Sequence, residues 1–156
     1  MITTTPFLAA AADAKLEDWG PLEEALPNPG GEPMHTSGTT LWSGDGAQET
    51  GVWECTPGPS RWSLDDNEFV HILSGRMTVT PDGGEPTEIG PGDTAVFPRG
   101  WAGTWQIHET IRKLYVLFSP AGLNGTAQVP PDSLTVWTIE LWDEAVARCR
   151  ACAWAR

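Results

Sequence analysis

Histidine, cysteine and positive charge are all scarce in this chain of 156 residues: 3 histidines, 3 cysteines, and 9 lysines and arginines against 21 acidic residues, for a net charge of −12. Each shortage excludes something. A surface this acidic repels phosphate backbones and anionic lipid, so neither nucleic acid nor a membrane is an expected partner. Solubility is the ordinary use of such acidity. Three cysteines do not make a disulfide framework. Cys149 and Cys152 have the spacing of a redox or zinc pair. No second pair completes a zinc tetrahedron, however, and the alanine-rich surroundings read as helix, so two reduced thiols are expected. No apolar run is long enough to span a bilayer. The longest near the start, Phe7 to Ala12, has no basic residue before it and is followed by Asp13, Glu17 and Asp18. It reads as the start of a short helix rather than a secretion signal, which makes the cytoplasm the expected compartment. No internal repeat, phosphate-binding glycine loop, dinucleotide fingerprint or serine-histidine-aspartate order is present.

Proline (14), glycine (17) and tryptophan (9) are what the chain has in quantity. The length suits one domain with a real core. Residues 7–19 are expected to form a short helix, and 20–38, rich in Pro and Gly, an extended arm. Short strand candidates follow: Thr39 to Trp42, Gly51 to Cys55, Arg61 to Ser63, Glu68 to Leu73, Met77 to Thr80, Thr94 to Phe97, Gly103 to Ile107 and Ile111 to Phe118. Turn chemistry separates them at Thr56-Pro57-Gly58-Pro59, Ser74-Gly75, Pro81-Asp82-Gly83-Gly84 and Gly90-Pro91-Gly92-Asp93. A further strand is expected at Leu134 to Leu141 and a helix at Asp143 to Ala153. The expected plan is an N-terminal helix and arm over 1–38, an all-β barrel or sandwich over 39–141, and a C-terminal helix over 142–156.

Two motifs sharpen this. Glu68 is followed by six residues and then Gly75, and Gly92 by five residues, Pro98, one residue and Gly100. Together with Gly51-Val-Trp-Glu-Cys-Thr-Pro-Gly, Glu68-Phe-Val-His-Ile-Leu-Ser-Gly, Gly103-Thr-Trp and Arg112-Lys-Leu-Tyr-Val, this pattern resembles the cupin superfamily. Within it, the wording is similar to the ureidoglycine aminohydrolase-like and ethanolamine-utilisation cupins, often left as a domain of unknown function. The resemblance covers residues 50–118. It implies a double-stranded β-helix (jelly-roll) barrel and a metal site of three histidines and one glutamate. It also implies a homodimer, since small cupins pair through sheet edges and exchanged arms, for which 20–38 is a candidate.

The departures from the motifs matter as much as the matches. Counting back from Glu68 places Arg61 and Ser63 where the two first-motif histidines belong. Gly103 stands at the third, and Ile107 replaces the motif's final Asn. Of the implied ligands only Glu68 is left, so no metal or other cofactor is expected. Arginine keeps its proton and cannot be a ligand, but it could replace the metal's charge beside the carboxylate. Arg61 could equally be a surface residue and Glu68 a relic, because spacing fixes face but not depth. On alternation, Val70 and Ile72 share Glu68's face, Trp105 shares that of Gly103, and Lys113 and Tyr115 share one face of the last strand. His71 falls on the face opposite Glu68.

The candidate site is therefore Glu68, Lys113 and Tyr115 as base and donors, with Arg61, Ser63, Trp105 and Trp101 binding a small molecule in the barrel. Gly103 beside Trp105 would leave room for a ligand ring. Three functions fit such a site. One is a metal-independent enzyme acting on a small carbonyl, carboxylate or amine metabolite. The second is a non-catalytic ligand-binding or sensor module, and the third a divalent-metal enzyme, which the lost histidines disfavour.

Overall fold

The computed structural model describes Thr5, Leu8 and residues 10–44 and 48–119. The chain divides into two compact units, Met1–Ala121 and Gly122–Arg156. The second lies outside the described residues, and with it the strand expected at 134–141, the helix expected at 143–153, and Cys149 and Cys152.

Eight strands make up the first unit: β1 (Glu17–Pro21), β2 (His35–Ser43), β3 (Glu49–Cys55), β4 (Gly58–Ser63), β5 (Asn67–Pro81), β6 (Thr87–Ile89), β7 (Thr94–Phe97) and β8 (Ala102–Phe118). They form one antiparallel sheet in the order β1-β2-β3-β8-β5-β6, with β4 also on β8 and β7 also on β5. The two long strands are its spine. Toward its C-terminal end β8 pairs with β3 (Trp53 opposite Lys113), and toward its N-terminal end with β4 (Trp62 opposite Gly103). In the same way β5 pairs first with β7 and then with β6. The core lies between the two halves and includes Val70, Ile72, Met77, Phe97, Trp105, Ile107 and Ile111.

Two expected pairs of strands are thus single strands. Ser74-Gly75 is not a chain reversal but a bulge, where the β5–β8 register shifts between Ile72 and Met77. The shift changes which residues face in: 68, 70 and 72 are buried before it, 77 and 79 after it. From Ile72 to Met77 β5 takes five steps where β8 takes six from Lys113 to Ile107, and that one-residue mismatch flips the alternation on β5. Gly75 permits this. Its φ is 82°, and a Cβ there would collide with the Thr110 carbonyl of β8.

The expected helix over 7–19 is also corrected. Among its described residues the only helical segment is a three-residue 3-10 turn, Ala11–Asp13, and residues 17–21 are a strand. The free edge of β2 outweighs local helix propensity. β1 pairs along it, Asp18 bonds the Gly20 amide at 2.8 Å and His35 Nε2 at 2.6 Å, and Thr36 donates to the Gly20 carbonyl. Trp19 lies where a Gly38 side chain would otherwise be. The next segment covers a second edge, since Leu26 donates to Pro59 and Arg61 to Glu24 through their backbones, and Ala25 bridges Ser60. The described arm therefore caps edges of its own chain. No helix among the described residues is long and apolar enough to cross a membrane.

Replacing Gly75 by Ala should cost about 2–4 kcal/mol, a clash added to the roughly 1–2 kcal/mol of a left-handed backbone. Gly83 also has positive φ, 71°, but open space around it. Gly83→Ala should therefore cost about 1–2 kcal/mol, the backbone part alone. Urea unfolding of the two variants measures the difference, and equal losses would remove the steric account of the bulge.

Candidate functional site

A cavity of about 360 Å³ opens into the half of the barrel built by β3, β5 and β8. The register explains its lining. Lys113 on β8 stands between Trp53 on β3 and Ile72 on β5, Tyr115 between Gly51 and Val70, and Leu117 between Glu49 and Glu68. On β8 the buried positions are Gly103, Trp105 and Ile107 and, beyond the exposed stretch His108 to Thr110, Ile111, Lys113 and Tyr115, which leaves Trp105, Lys113 and Tyr115 all facing inward. Gly51 supplies the space for the Tyr115 hydroxyl, 2.9 Å from where its Cβ would be.

At the centre of this arrangement is a buried ion pair. Lys113 Nζ donates to Glu68 Oε1 at 2.7 Å, with Lys113 4% and Glu68 6% exposed. The ammonium also lies over two indoles, 4.5 Å from the Trp105 ring centroid and 4.7 Å from that of Trp53. A buried ammonium is costly unless its charge is answered, and here a carboxylate and two π-faces answer it. Trp53, Trp62 and Trp105 pack as a cluster, with Trp62 and Trp105 only 4.6 Å apart by centroid. Trp105 is 1% exposed, and its Nε1 has no hydrogen-bond partner among the described residues.

Tyr115 donates to a Glu49 carboxylate oxygen. Burial raises its hydroxyl pKa above the ordinary value, and the bond to Glu49 and the charges of Glu49 and Glu68 add to the effect. It is a neutral donor rather than a base. Cys55, fully buried on β3, is pushed up to about 12 by burial, with Lys113 pulling modestly the other way.

The proposed partner of Glu68 is corrected. Arg61 faces outward, its side chain 46% exposed and paired to Asp82 at 2.5 Å. The buried pattern on β4 selects Gly58 and Ser60, and Trp62 follows on that face, one position away from Arg61. The charge beside Glu68 comes instead from Lys113. Ser63 and Leu64 both line the cavity. Trp101 packs edge-on against Phe97, 5.0 Å away, and is outside the cavity lining. Gly103 opens no space for a ligand, because a Cβ there would meet the Trp101 ring at 2.6 Å and the Thr80 carbonyl. Among the residues that line the cavity and that sequence reasoning did not assign to the site are Trp53, Trp62, Trp19, Glu24, Glu49, Asp65 and Asp66. For Trp53 and Trp62 the signal was there, since tryptophan in short strands near Glu68 is rare enough to follow. Trp19 and Glu24 reach the cavity only through the arm's pairing.

The three-histidine, one-glutamate metal set does not fit this site. The inward positions ahead of Glu68 carry Trp62 and Leu64, the third position is Gly103, and His71 and His108 lie on outer faces, His108 bonded to Thr78. Among the described residues no three His, Cys, Asp or Glu side chains come together to hold an ion.

Comparison with known proteins bears on the fold that carries this site. The model of the EutQ-like cupin domain matches residues 42–115. A DUF861 protein of unknown function from Pseudomonas syringae superposes with a TM-score of 0.61 at 20% identity, over 69% of this chain and 46% of that one. The chain thus spans about half that protein's length. The EutQ protein of Clostridium difficile superposes at 0.50 with 17% identity, over 64% and 79% of the two chains. A DUF861 protein from Thermotoga maritima is 37% identical over 43% of this chain and 76% of that one, with a TM-score of 0.42. No curated protein matches the chain.

Removing either member of the buried pair leaves the other charge unanswered. Glu68→Gln and Lys113→Met should each cost about 3–5 kcal/mol in urea unfolding. The Glu68→Gln/Lys113→Met double variant should lose clearly less than the two single losses added together. Additive losses would show that the pair is not a coupled unit.

Alkaline pH should also weaken the fold. In the unfolded chain the Cys55 thiol titrates near 9.0, whereas the folded one holds its proton to about 12. The folded state therefore binds more protons over that interval, and stability declines as pH rises through it. Tyr115, also raised, acts in the same direction at higher pH. Urea midpoints at about pH 8 and about pH 10.5 should separate more for the parent than for Cys55→Ala. Equal separations would remove Cys55 as the cause.

Proposed function

The chain belongs to the cupin superfamily, of the EutQ-like and DUF861 type, and from that premise we propose that its barrel cavity is a small-molecule binding site whose fixed polar centre is the Glu68–Lys113 pair rather than a metal ion. The observation that carries this reading is that pair, buried at 2.7 Å and facing an indole-walled cavity. Concave sites with apolar walls and a few placed polar groups are where small ligands bind.

Binding is favoured over proton-transfer catalysis. An acid–base catalyst needs a group that gains and loses a proton near the working pH. Glu68 is engaged by Lys113, and Tyr115 is held protonated by burial and by Glu49. What the arrangement offers a ligand is orientation: a fixed dipole, a neutral hydroxyl donor and flat aromatic walls from Trp53 and Trp62.

The test is native mass spectrometry of protein purified without added ligand, followed by thermal-shift screening against small metabolites. A small organic molecule is expected near one per chain or, failing retention, a stabilising hit. Trp62→Ala should weaken that binding by roughly ten-fold or more, as loss of an aromatic wall would. Arg61→Ala should leave it unchanged, and chelators should have no effect. A stoichiometric transition metal, or equal binding by Trp62→Ala, would overturn the reading. Turnover of any hit would move it from binding to catalysis.

A further inference from the structure

The cavity's own charges say which ligands it would accept, an inference that rests on the binding reading above. Five carboxylates line it, those of Glu24, Glu49, Asp65, Asp66 and Glu68, against one ammonium, that of Lys113. Glu68 and Lys113 cancel at 2.7 Å, which leaves four acids. Among the described residues none of these four is paired with a basic side chain. Glu49 accepts from the Tyr115 hydroxyl and Asp66 from that of Ser119, both neutral. With Arg61 turned outward to Asp82, no cation remains free among the described residues of the lining to meet an anion.

The walls point the same way without depending on the charge count. Trp19, Trp53 and Trp62 present indoles to the cavity, and indole faces attract cations. Trp53 already does so for the Lys113 ammonium at 4.7 Å, which shows that its electrostatics suit a positive nitrogen.

We propose that the cavity takes a small organic cation, an amine or quaternary ammonium compound, with its charge among Glu24, Glu49, Asp65 and Asp66 and its alkyl surface on Trp19 and Trp62. An anionic metabolite, the class an inward Arg61 would have favoured, is excluded by the same charges. The arm contributes two of these contacts, Trp19 and Glu24, so the site is complete only with β1 in place on β2.

Calorimetry with matched probes tests the class. Choline and its neutral isostere 3,3-dimethyl-1-butanol have the same shape, and 4,4-dimethylpentanoate supplies the opposite charge. Choline, or a member of a panel of small primary amines, should bind at least roughly ten-fold more tightly than its neutral isostere, and the carboxylate should not bind. The preference should shrink by about ten-fold in Glu49→Gln/Asp66→Asn and fall as salt is added. Equal or better binding of the neutral or anionic probe, with dependence on Trp62, would overturn the cation proposal while leaving the cavity reading standing. Absence of binding by every probe, together with no hit in the metabolite screen, would overturn both.

Discussion

A charged lysine inside a barrel is tolerable only if something holds it there, and much of the site's architecture follows from how Lys113 is held. Its ammonium needs a carboxylate within hydrogen-bond reach, which fixes Glu68 on β5. It needs polarisable faces rather than aliphatic ones around its remaining surface, which accounts for Trp53 and Trp105 on either side. Those two rings in turn set the packing of Trp62, and Trp62 shapes the cavity wall. A well-packed hydrophobic pair is often as stabilising as a buried ion pair, or more so. A buried charge pair facing a cavity therefore fits the binding role proposed for it better than a role in stability alone.

The backbone makes this possible by a simple device. β5 and β8 each run through both halves of the sheet, so their side chains line the interior over its full length. A long strand would normally keep one alternation throughout, and the bulge at Ser74–Arg76 breaks it. Residues 68, 70 and 72 face in at one end, 77 and 79 at the other. Without that one-residue shift, Met77 and Val79 would face solvent whenever Glu68 faced Lys113. Gly75 is thus tied to the site although it touches none of it. Its positive φ lets the end of β5 that carries Glu68 and the end that carries Met77 both point inward.

Glycine and proline spacing made the fold legible, and strand periodicity made legible which residues share a face: Glu68 with Val70 and Ile72, Trp105 with Gly103, and Lys113 with Tyr115; which face is the interior one is read from their burial. The sequence misled at Arg61 because a motif count off by one residue flips a side chain to the other face of a strand. Counted one residue shorter, the motif lands on Trp62 and Leu64, which do face the cavity. Alternation alone could not choose between the two counts, since both arginine and tryptophan suit a half-buried strand. Ser74-Gly75 read as a turn because bulges and turns use the same residues. The contributions of Trp19 and Glu24 were not legible, because they depend on which edge the arm covers, and no local pattern encodes that.

In the binding site proposed above, an ammonium stands where the resemblance implied a metal ion, and that would change what the centre can do. A divalent ion with open positions polarises bound oxygen and activates water. An ammonium does neither. It donates hydrogen bonds and contributes one charge, and in this barrel Glu68 has already taken that charge. The pair is then a dipole with no net charge, and the sign of the cavity is left to the carboxylates around its mouth. That is why the outward turn of Arg61 has consequences well beyond one salt bridge. Had it faced in, the cavity would hold a second cation and could receive an acid. Because it pairs with Asp82 outside, the lining keeps its acidic character, and in the proposed site recognition would fall to carboxylates and indoles, a combination suited to positive nitrogen.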